Sequence, residues 1–534
     1  MSAPSAHDVC VIGGGVTGAG IARDLSLRGL SVLLLEKGDW GAGTSGSSTW
    51  MIHGGPRYLE FDWDTTRRSS EDAGHIVKIA RHMVYRVAFI VPILHNDRNN
   101  IERMETAMEV YDRFQPLKKS NPHVRLTAEE ARQAEPGLTK DLVGAVTLEE
   151  WGVDPHRLVY ANVQNAVAHG ARALNHTRVI DVLRDEGKVI GVRYRGPDGA
   201  HSEARAKVVV NAAGPWVPEV SRMVGTDVQL RPAKGIHLVF PHRISNFGIS
   251  AETVDGRDVL MVAHGAFTLL GTTDDDFYGD LDSVDVHEDE VDYLLQAFER
   301  VFPAIGNYRP VRTTTGVRPT LFKWRRYEDE LSRRYEVIDH ARDGAEGFVT
   351  VAGGKLSMYR LMAEEASDAV CRKLGHQALC TTATVPLPGS ESEPEPAHEL
   401  ARRFGIPALA AIRLQSRHGS RAAEVLDQAH SGRLVCRCEP LTESELAYAA
   451  RHEQVRTIAD SFRRVGLAGG PCAGAACVMR GAEIIGQQLG WSASQRFDAV
   501  REFVHGAWLG RAPVLGRSGW AQEELAQGAL RGLR

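Results

Sequence analysis

Residues 8–36, DVCVIGGGVTGAGIARDLSLRGLSVLLLE, constrain the chain more tightly than any other segment. Asp8 to Ile12 reads as a short apolar strand that Gly13, Gly14 and Gly15 break. A helical stretch then runs to Gly29, and Ser31 to Glu36 is a second strand. This is one βαβ unit, which predicts a parallel sheet covered by helices. Within it Gly13-Gly14-Gly15-Val16-Thr17-Gly18 fits G-x-G-x-x-G, and the acid Glu36 follows 23 residues after Gly13. A lone glycine triplet is a weak signal, but strand, turn, helix and acid each do a physical job here. Gly13 permits the tight turn, Gly15 lets backbone approach a pyrophosphate, and Gly18 allows close helix–strand packing. The helix N-terminus favours phosphate charge, and Glu36 accepts hydrogen bonds from an adenosine ribose.

NAD and FAD share this fingerprint. The small, hydroxyl-rich stretch Gly41 to His53 (GAGTSGSSTWMIH) favours FAD, because it can wrap a long cofactor and supply donors along it. Two further strands run into small residues, Lys207 to Gly214 (KVVVNAAG) and Gly347 to Gly354 (GFVTVAGG), the second leading into a helix over Met358 to Leu374. Less regular stretches, about Arg57 to Glu150 and Leu230 to Arg318, fit a substrate-binding region inserted into the nucleotide-binding domain. Pro386 to Pro396 (PLPGSESEPEP) reads as a linker, and a mostly helical, cysteine-bearing module follows it.

The 534 residues carry 63 Lys plus Arg against 68 Asp plus Glu, a net charge of −5, which argues against nucleic-acid binding. The apolar run Val87 to Leu94 is far short of the roughly 20 residues of a membrane span. No secretory pattern opens the chain over Met1 to Asp8, and seven cysteines are too few for a disulfide scaffold, so a cytoplasmic protein is expected.

Four basic clusters line up with a known pattern: His53 to Glu60 (HGGPRYLE), Lys234 to His237 (KGIH), Gly316 to Pro319 (GVRP) and Gly353 to Arg360 (GGKLSMYR). Together with the opening fingerprint, Val210 to Trp216 (VNAAGPW) and Gly271 to Asp274 (GTTD), they resemble the FAD-dependent glycerol-3-phosphate dehydrogenases over about residues 8–390. The resemblance implies a Rossmann-like, amino-acid-oxidase type FAD domain with an inserted antiparallel-sheet substrate domain, so α/β with α+β character. It places FAD-binding parts at about 1–56, 145–229 and 319–385, and substrate-binding parts at about 57–144 and 230–318. It implies FAD contacts from Gly13, Gly14, Gly15, Thr17, Gly18, Glu36, Lys37, Thr44, Ser45 and Ser48. Further along the chain it adds Val179, Ala213, Gly214, Gly353, Gly354, Lys355 and Leu356. It also implies that Arg57, Tyr58, Arg318 and Lys355 surround the phosphate of sn-glycerol 3-phosphate. His53, His237 and Arg318 would serve the reacting hydroxyl. The chemistry agrees: a dianion needs clustered cations, and a hydride leaving C2 needs a base for the hydroxyl proton. The basic, aromatic run Leu321 to Arg326 (LFKWRR) reads as a solvated loop.

Beyond the linker, residues 397–432 read as a helical connector. Cys436, Cys438, Cys472 and Cys477 then follow C-x-C-x33-C-x4-C. Thiolates hold zinc or iron–sulfur clusters, and C-x-C is tighter than the common zinc spacing. The pattern resembles the bacterioferritin-associated-ferredoxin-like [2Fe–2S] domain, here over about 433–490, with a tail at 491–534. A flavin domain followed by this module resembles the catalytic component of the family's anaerobic branch. That likeness implies electron transfer through [2Fe–2S] toward quinone. It also implies peripheral association at the inner face of the cytoplasmic membrane through partner subunits. The alternatives are a related FAD enzyme acting on a hydroxy or amino acid, its arginines holding a carboxylate, or a flavin-binding electron-transfer protein without turnover.

Overall fold

The computed structural model describes residues 5–324, 333–426 and 432–532. β1 (Ser5–Ile12), α1 (Val16–Leu27) and β2 (Val32–Leu35) form the expected βαβ unit. β1 pairs in parallel with β2 on one side and with His201–Asn211 on the other. A strand in that position is covered on both faces, and Val9, Cys10, Val11, Leu33 and Leu34 are fully buried. The sheet has eight strands, with the path Tyr335–Asp339, Phe348–Gly353, His201–Asn211, β1, β2, Arg172–Leu174. An antiparallel hairpin, Arg178–Asp185 with Lys188–Arg195, joins it beside His201–Asn211. Small residues let α1 lie close to the helix Tyr359–Leu374: a Cβ on Gly20 would stand 3.0 Å from the Tyr359 ring and 3.2 Å from Ala363.

The second sheet has ten strands and is mostly antiparallel. Its strands Leu230–Phe240 and Arg312–Leu321 pair along their length, with Gly235 opposite Gly316 and His237 opposite Thr314. The helix Glu288–Val301 covers it through Val291, Leu294, Ala297, Phe298 and Val301, an apolar stripe at helical spacing. The two sheets meet through the short strand Met51–Ile52, which runs from the hydroxyl-rich loop into the second sheet beside Leu142–Val153. That junction carries His53 to the boundary between the sheets.

The rest of the chain is helical and packs back on the first domain. Helices Ala397–Phe404 and Ala408–His418 form their own core through Leu400, Ala410, Ala411 and Leu414. The cysteine module follows, from Leu434–Cys436 to the helix Val478–Leu489. Of the two tail helices, Ala493–Arg511 and Arg517–Gly532, the first leans against the substrate sheet, where Thr313 donates to the Gly510 carbonyl at 2.9 Å. Residues 386–396 are not a free spacer as their composition suggests. Leu387 is fully buried, its N–H donates to the Ile79 carbonyl at 2.8 Å, and Ser390 meets the His82 ring at 2.7 Å. In the basic run, Phe322 and Trp324 are exposed as expected, while Arg325 and Arg326 lie outside the described residues. Among the described residues, no helix is long and apolar enough to cross a membrane.

A buried ionic seam fastens the helical part to the FAD-type domain. Arg464 reaches both oxygens of Asp39, at 2.6 and 3.0 Å, and Arg463 adds a third contact at 2.6 Å. Burial opposes the Asp39 charge, but the two guanidiniums outweigh it and hold the carboxyl well below its ordinary pKa. Nearby, Arg157 meets Glu453 at 2.8 Å and Arg417 meets Glu445 at 2.6 Å, all of them buried. Asp39→Asn leaves two guanidiniums without a counterion in a low-dielectric seam. Removing one partner of such a pair costs about 3–5 kcal/mol, so the urea midpoint of the variant is expected to fall by a corresponding amount. An unchanged midpoint would show that the seam contributes nothing net.

Candidate functional site

A cavity of about 890 Å³ opens along the carboxyl ends of the parallel strands and continues between the two sheets. At its first end Gly13, Gly15 and Thr17 line the wall. Gly13 sits at φ +109°, and a Cβ there would stand 2.5 Å from the Ala212 carbonyl oxygen. A Cβ on Gly18 would fall 1.9 Å from the Gly13 carbonyl oxygen, so only glycine lets α1 begin this close to the turn. Gly14 and Gly18 do not line the cavity: Gly14 backs onto the Trp40 ring, and both act by packing. Glu36 accepts from the N–H of Gly14 at 2.6 Å and of Gly38 at 2.7 Å, and burial pushes its carboxyl up.

The wrap loop closes the same wall. Ser45 Oγ accepts from the Val16 N–H at 2.9 Å, and Thr44 donates to the Val317 carbonyl at 2.5 Å. Ser48 bonds within the loop, to the Ser45 carbonyl at 3.2 Å. Lys37 lies 3.7 Å over the Trp216 ring and pairs with Asp282 at the rim. Val179, Ala213, Gly214, Gly353, Gly354 and Leu356 complete this half of the lining. A cavity with a glycine turn at a helix N-terminus and hydroxyls along one wall fits FAD.

The far end collects cations. Arg57, Arg318, Arg333 and Lys355 all line it, together with Tyr58, His53 and His237. Arg318 donates to Asp274 at 2.9 Å, to Thr272 Oγ1 at 3.0 Å and to the Thr273 carbonyl at 3.0 Å. A Cβ on Gly235 would stand 2.5 Å from this guanidinium, so glycine there lets Arg318 cross the strand. Arg333 takes the other Asp274 oxygen at 2.9 Å and donates to Thr320 at 2.6 Å. Asp274 is therefore shared, and burial is outweighed by Arg318 and Arg333 in holding its pKa low. Lys355 Nζ donates to the His53 carbonyl at 3.1 Å and lies 5.0 Å over the Tyr58 ring. Burial lowers its pKa to about 8. The Tyr58 phenol is also lowered: burial raises it, but Lys355, Arg57 and Arg333 prevail. Lys234, from the same motif as His237, points elsewhere and pairs with Glu290 at 2.7 Å.

Two histidines face this end. Burial, then Lys355, Lys118 and Arg57, push the His53 pKa well down, and the ring has no hydrogen-bond partner among the described residues. His237 Nε2 meets Thr49 Oγ1 at 2.9 Å, its Nδ1 is buried without a partner, and burial lowers its pKa to about 3. Both rings are neutral near pH 7. Arg333 and Asp274 did not emerge as site residues from the sequence. Asp274 closes the Gly271 to Asp274 motif, and Arg333 precedes a strand whose Tyr335 pairs with Gly353. That pairing brings Arg333 beside the Gly353 to Lys355 turn, a neighbour relation visible only in the register.

The four module cysteines converge although 33 residues separate Cys438 from Cys472. Cys436 ends the strand Leu434–Cys436, and Cys477 caps the helix Val478–Leu489. The Cys477 thiol bonds to Cys436, whose pKa falls to about 6 with help from the N–H groups of Glu439, Cys438 and Ala468. Cys438 pairs likewise with Cys472, burial and the neighbouring sulfurs holding it up. A Cβ on Gly470 would stand 2.3 Å from Cys438 Cβ, so that glycine lets the second loop close over the first. Two thiol pairs with backbone donors aimed at sulfur form a donor set for thiophilic metal. Asp39, His176 and Asp460 also approach one another, but Arg463 and Arg464 already take the Asp39 oxygens.

The model of the FAD dependent oxidoreductase family matches residues 8–368, and that of the C-terminal domain of alpha-glycerophosphate oxidase matches residues 380–496. The second match spans the helical connector and the cysteine module together. Among curated proteins, one component of the anaerobic glycerol-3-phosphate dehydrogenase of Escherichia coli (strain K12) is 34% identical over 536 residues, covering 98% of this chain and 96% of that protein. Its namesake from Haloferax volcanii is 36% identical over 497 residues, covering 88% and 81%. Among solved structures, a glycerol-3-phosphate dehydrogenase from Bacillus halodurans complexed with FAD superposes with a TM-score of 0.78 at 27% identity, covering 96% of each chain.

The lowered Lys355 pKa gives the cationic end a pH dependence. The ammonium is charged below about pH 8 and loses its proton above it. Inorganic phosphate, taken as a probe anion, is expected to bind more weakly as the pH rises from about 7 to about 9. Lys355→Met is expected to bind weakly throughout and to flatten the change. Isothermal calorimetry on both proteins checks it, and a profile of equal steepness in the variant would contradict it.

Proposed function

The chain belongs to the FAD-dependent glycerol-3-phosphate dehydrogenase family, and from that premise we propose that it oxidises sn-glycerol 3-phosphate to dihydroxyacetone phosphate. The observation that carries the substrate reading is the excess of cations at one end of the FAD groove. Arg57, Arg318, Arg333 and Lys355 stand there against the carboxylate of Asp274. A phosphate dianion supplies the charge that this end lacks, and forked guanidiniums suit its oxygens.

FAD, when bound, supplies the hydride acceptor. The glycine turn and the N-terminus of α1 hold its pyrophosphate, Glu36 its ribose, and the Thr44 to Ser48 loop its central chain. His53 takes the C2 hydroxyl proton at a ring nitrogen. Burial first, and after it Lys355, Lys118 and Arg57, keep this ring neutral and able to accept a proton, and a bound dianion offsets the part due to the cations. Arg318 steadies negative charge developing on the C2 oxygen, and its own position is fixed by Asp274 and Thr272. His237, held by Thr49, shapes the neighbouring wall and does not move a proton.

Cys436, Cys438, Cys472 and Cys477 would hold a [2Fe–2S] cluster, which would supply one-electron transfer toward quinone. The two-pair grouping of the thiols and the backbone donors to Cys436 support it. The Escherichia coli relative is named as one subunit of an enzyme, which supports partner subunits here. Through them the chain would associate peripherally with a membrane. The division 1–390, 397–432 and 433–490 stands as part of this proposal.

Anaerobic bleaching of the flavin by sn-glycerol 3-phosphate tests the substrate. Bleaching by a hydroxy or amino acid instead would favour a carboxylate ligand for the arginines, and bleaching by none would leave a flavin-binding protein without turnover. Arg318→Ala is expected to retain FAD and to raise KM by an amount equivalent to about 2–5 kcal/mol. An unchanged KM would make Arg318 structural. Cys438→Ser is expected to lose iron while flavin bleaching persists and quinone reduction falls. Zinc in place of iron in anaerobically purified protein would end the electron-relay reading.

A further inference from the structure

Arg312 and Arg318 lie on the same strand, Arg312–Leu321, about 20 Å apart at strand rise. Arg318 serves the cationic end of the cavity. Arg312 points out of the substrate sheet into the helical module. Its Nη1 donates to the Gly469 carbonyl at 2.8 Å, and its guanidinium lies 5.9 Å over the Phe462 ring. Gly469 packs on that same ring, and Gly470 backs directly onto Cys438. The loop that Arg312 touches is therefore the one that delivers Cys472 and closes over Cys438.

Among the described residues around this loop, Arg312 and the exposed Arg437 are the arginines without a carboxylate partner. Arg413 binds Glu439 at 2.6 Å, and Arg480 binds Glu443 at 2.7 Å. Arg511 reaches the Pro471 carbonyl at 3.4 Å and is neutralised by Glu523 at 3.2 Å. Arg437 is exposed, where solvent screens it. Arg312 is partly buried, and among the described residues no carboxylate pairs with it. Burial and then Arg511 lower its pKa to about 10, opposed by Glu439, so it stays charged at neutral pH. Keeping an unpaired guanidinium out of water is unfavourable unless negative charge lies nearby. Four thiolates around iron and sulfide carry such charge, and it deepens by one unit when the cluster takes up an electron.

Resting on the [2Fe–2S] reading, we propose that Arg312, supplied by the substrate sheet, is the countercharge of the cluster and sets its reduction potential. It acts through the loop and through space rather than as a ligand, so it is a positioning residue. A fixed positive charge favours the reduced, more negative form and raises the potential. It also means that the cluster acquires its working potential only when the module is docked on the substrate sheet.

The test is a redox titration of the anaerobically purified full-length holoenzyme with dithionite, followed by electron paramagnetic resonance, with iron, sulfide and FAD measured on each sample. Arg312→Gln keeps a donor for Gly469 and removes the charge; Arg312→Lys keeps the charge. The expected result is a more negative midpoint in the Gln variant at unchanged iron content, and a midpoint near wild type in the Lys variant. Equal midpoints for wild type and Gln, or equal shifts in Gln and Lys, would overturn the proposal. If Gln loses iron, retention of the cluster by Lys still supports the countercharge, whereas loss in both assigns Arg312 to loop structure alone. Wild-type protein without iron fails the cluster reading itself, which is a different failure from an intact cluster whose midpoint does not move.

Discussion

The buried contact of Asp39 with Arg463 and Arg464 is the centre of the ionic seam that joins the helical part of the chain to the FAD-type domain. Asp39 lies three residues beyond Glu36, in the loop that shapes the adenosine end of the groove. The arginines come from the helix Ile458–Val465 of the cysteine module. Taking three charges out of water is unfavourable unless geometry and further hydrogen bonds compensate. Here they do: Arg464 also donates to the Glu453 carbonyl at 3.0 Å, and Asn175 to Asp39 at 3.0 Å. Such a seam tolerates little displacement. It fixes the module on the FAD-type domain, supports the loop that carries Glu36, and brings the Cys472 loop within reach of Arg312.

The cavity shows the opposite strategy. At the seam the buried carboxylates meet guanidiniums, whereas Arg57, Arg318, Arg333 and Lys355 line the cationic end and only Arg318 and Arg333 share Asp274. The consequences are visible in the titrating groups. Lys355 is easier to deprotonate than an ordinary lysine, Tyr58 more acidic than an ordinary phenol, and His53 far less basic than an ordinary imidazole. Burial dominates for Lys355 and His53, whereas at Tyr58 the neighbouring cations prevail over burial. An excess of positive charge of this kind favours an anionic ligand.

Sequence reading and structure agree where a residue acts through backbone geometry and diverge where it acts through charge. Gly18 was legible because a strand–turn–helix junction leaves no room for a Cβ against the Gly13 carbonyl, a local requirement. The C-x-C-x33-C-x4-C spacing anticipates that the four cysteines group, and the structure pairs Cys436 with Cys477 and Cys438 with Cys472. Pro386 to Pro396 misled because proline and serine describe how a segment bends, not what it lies against; Leu387 is anchored on Ile79. Arg333 escaped because its site neighbours come from strand pairing, with Tyr335 opposite Gly353.

The amino-acid sequence by itself determined the βαβ frame, the dinucleotide turn and the FAD-type cofactor, and the likeness of its motifs to a family pointed to Arg57, Arg318, Lys355 and the four cysteines. All of these depend on contacts within a few residues or on motifs whose chemistry is local. Tertiary structure alone decided that Arg318 and Arg333 share Asp274, that His53 is held neutral, and that Arg463 and Arg464 reach Asp39. It alone put an unpaired Arg312 beside the Cys472 loop. The physical reason is that charge–charge interactions act between residues hundreds of positions apart, and their sign and strength depend on burial that no spacing along the chain encodes.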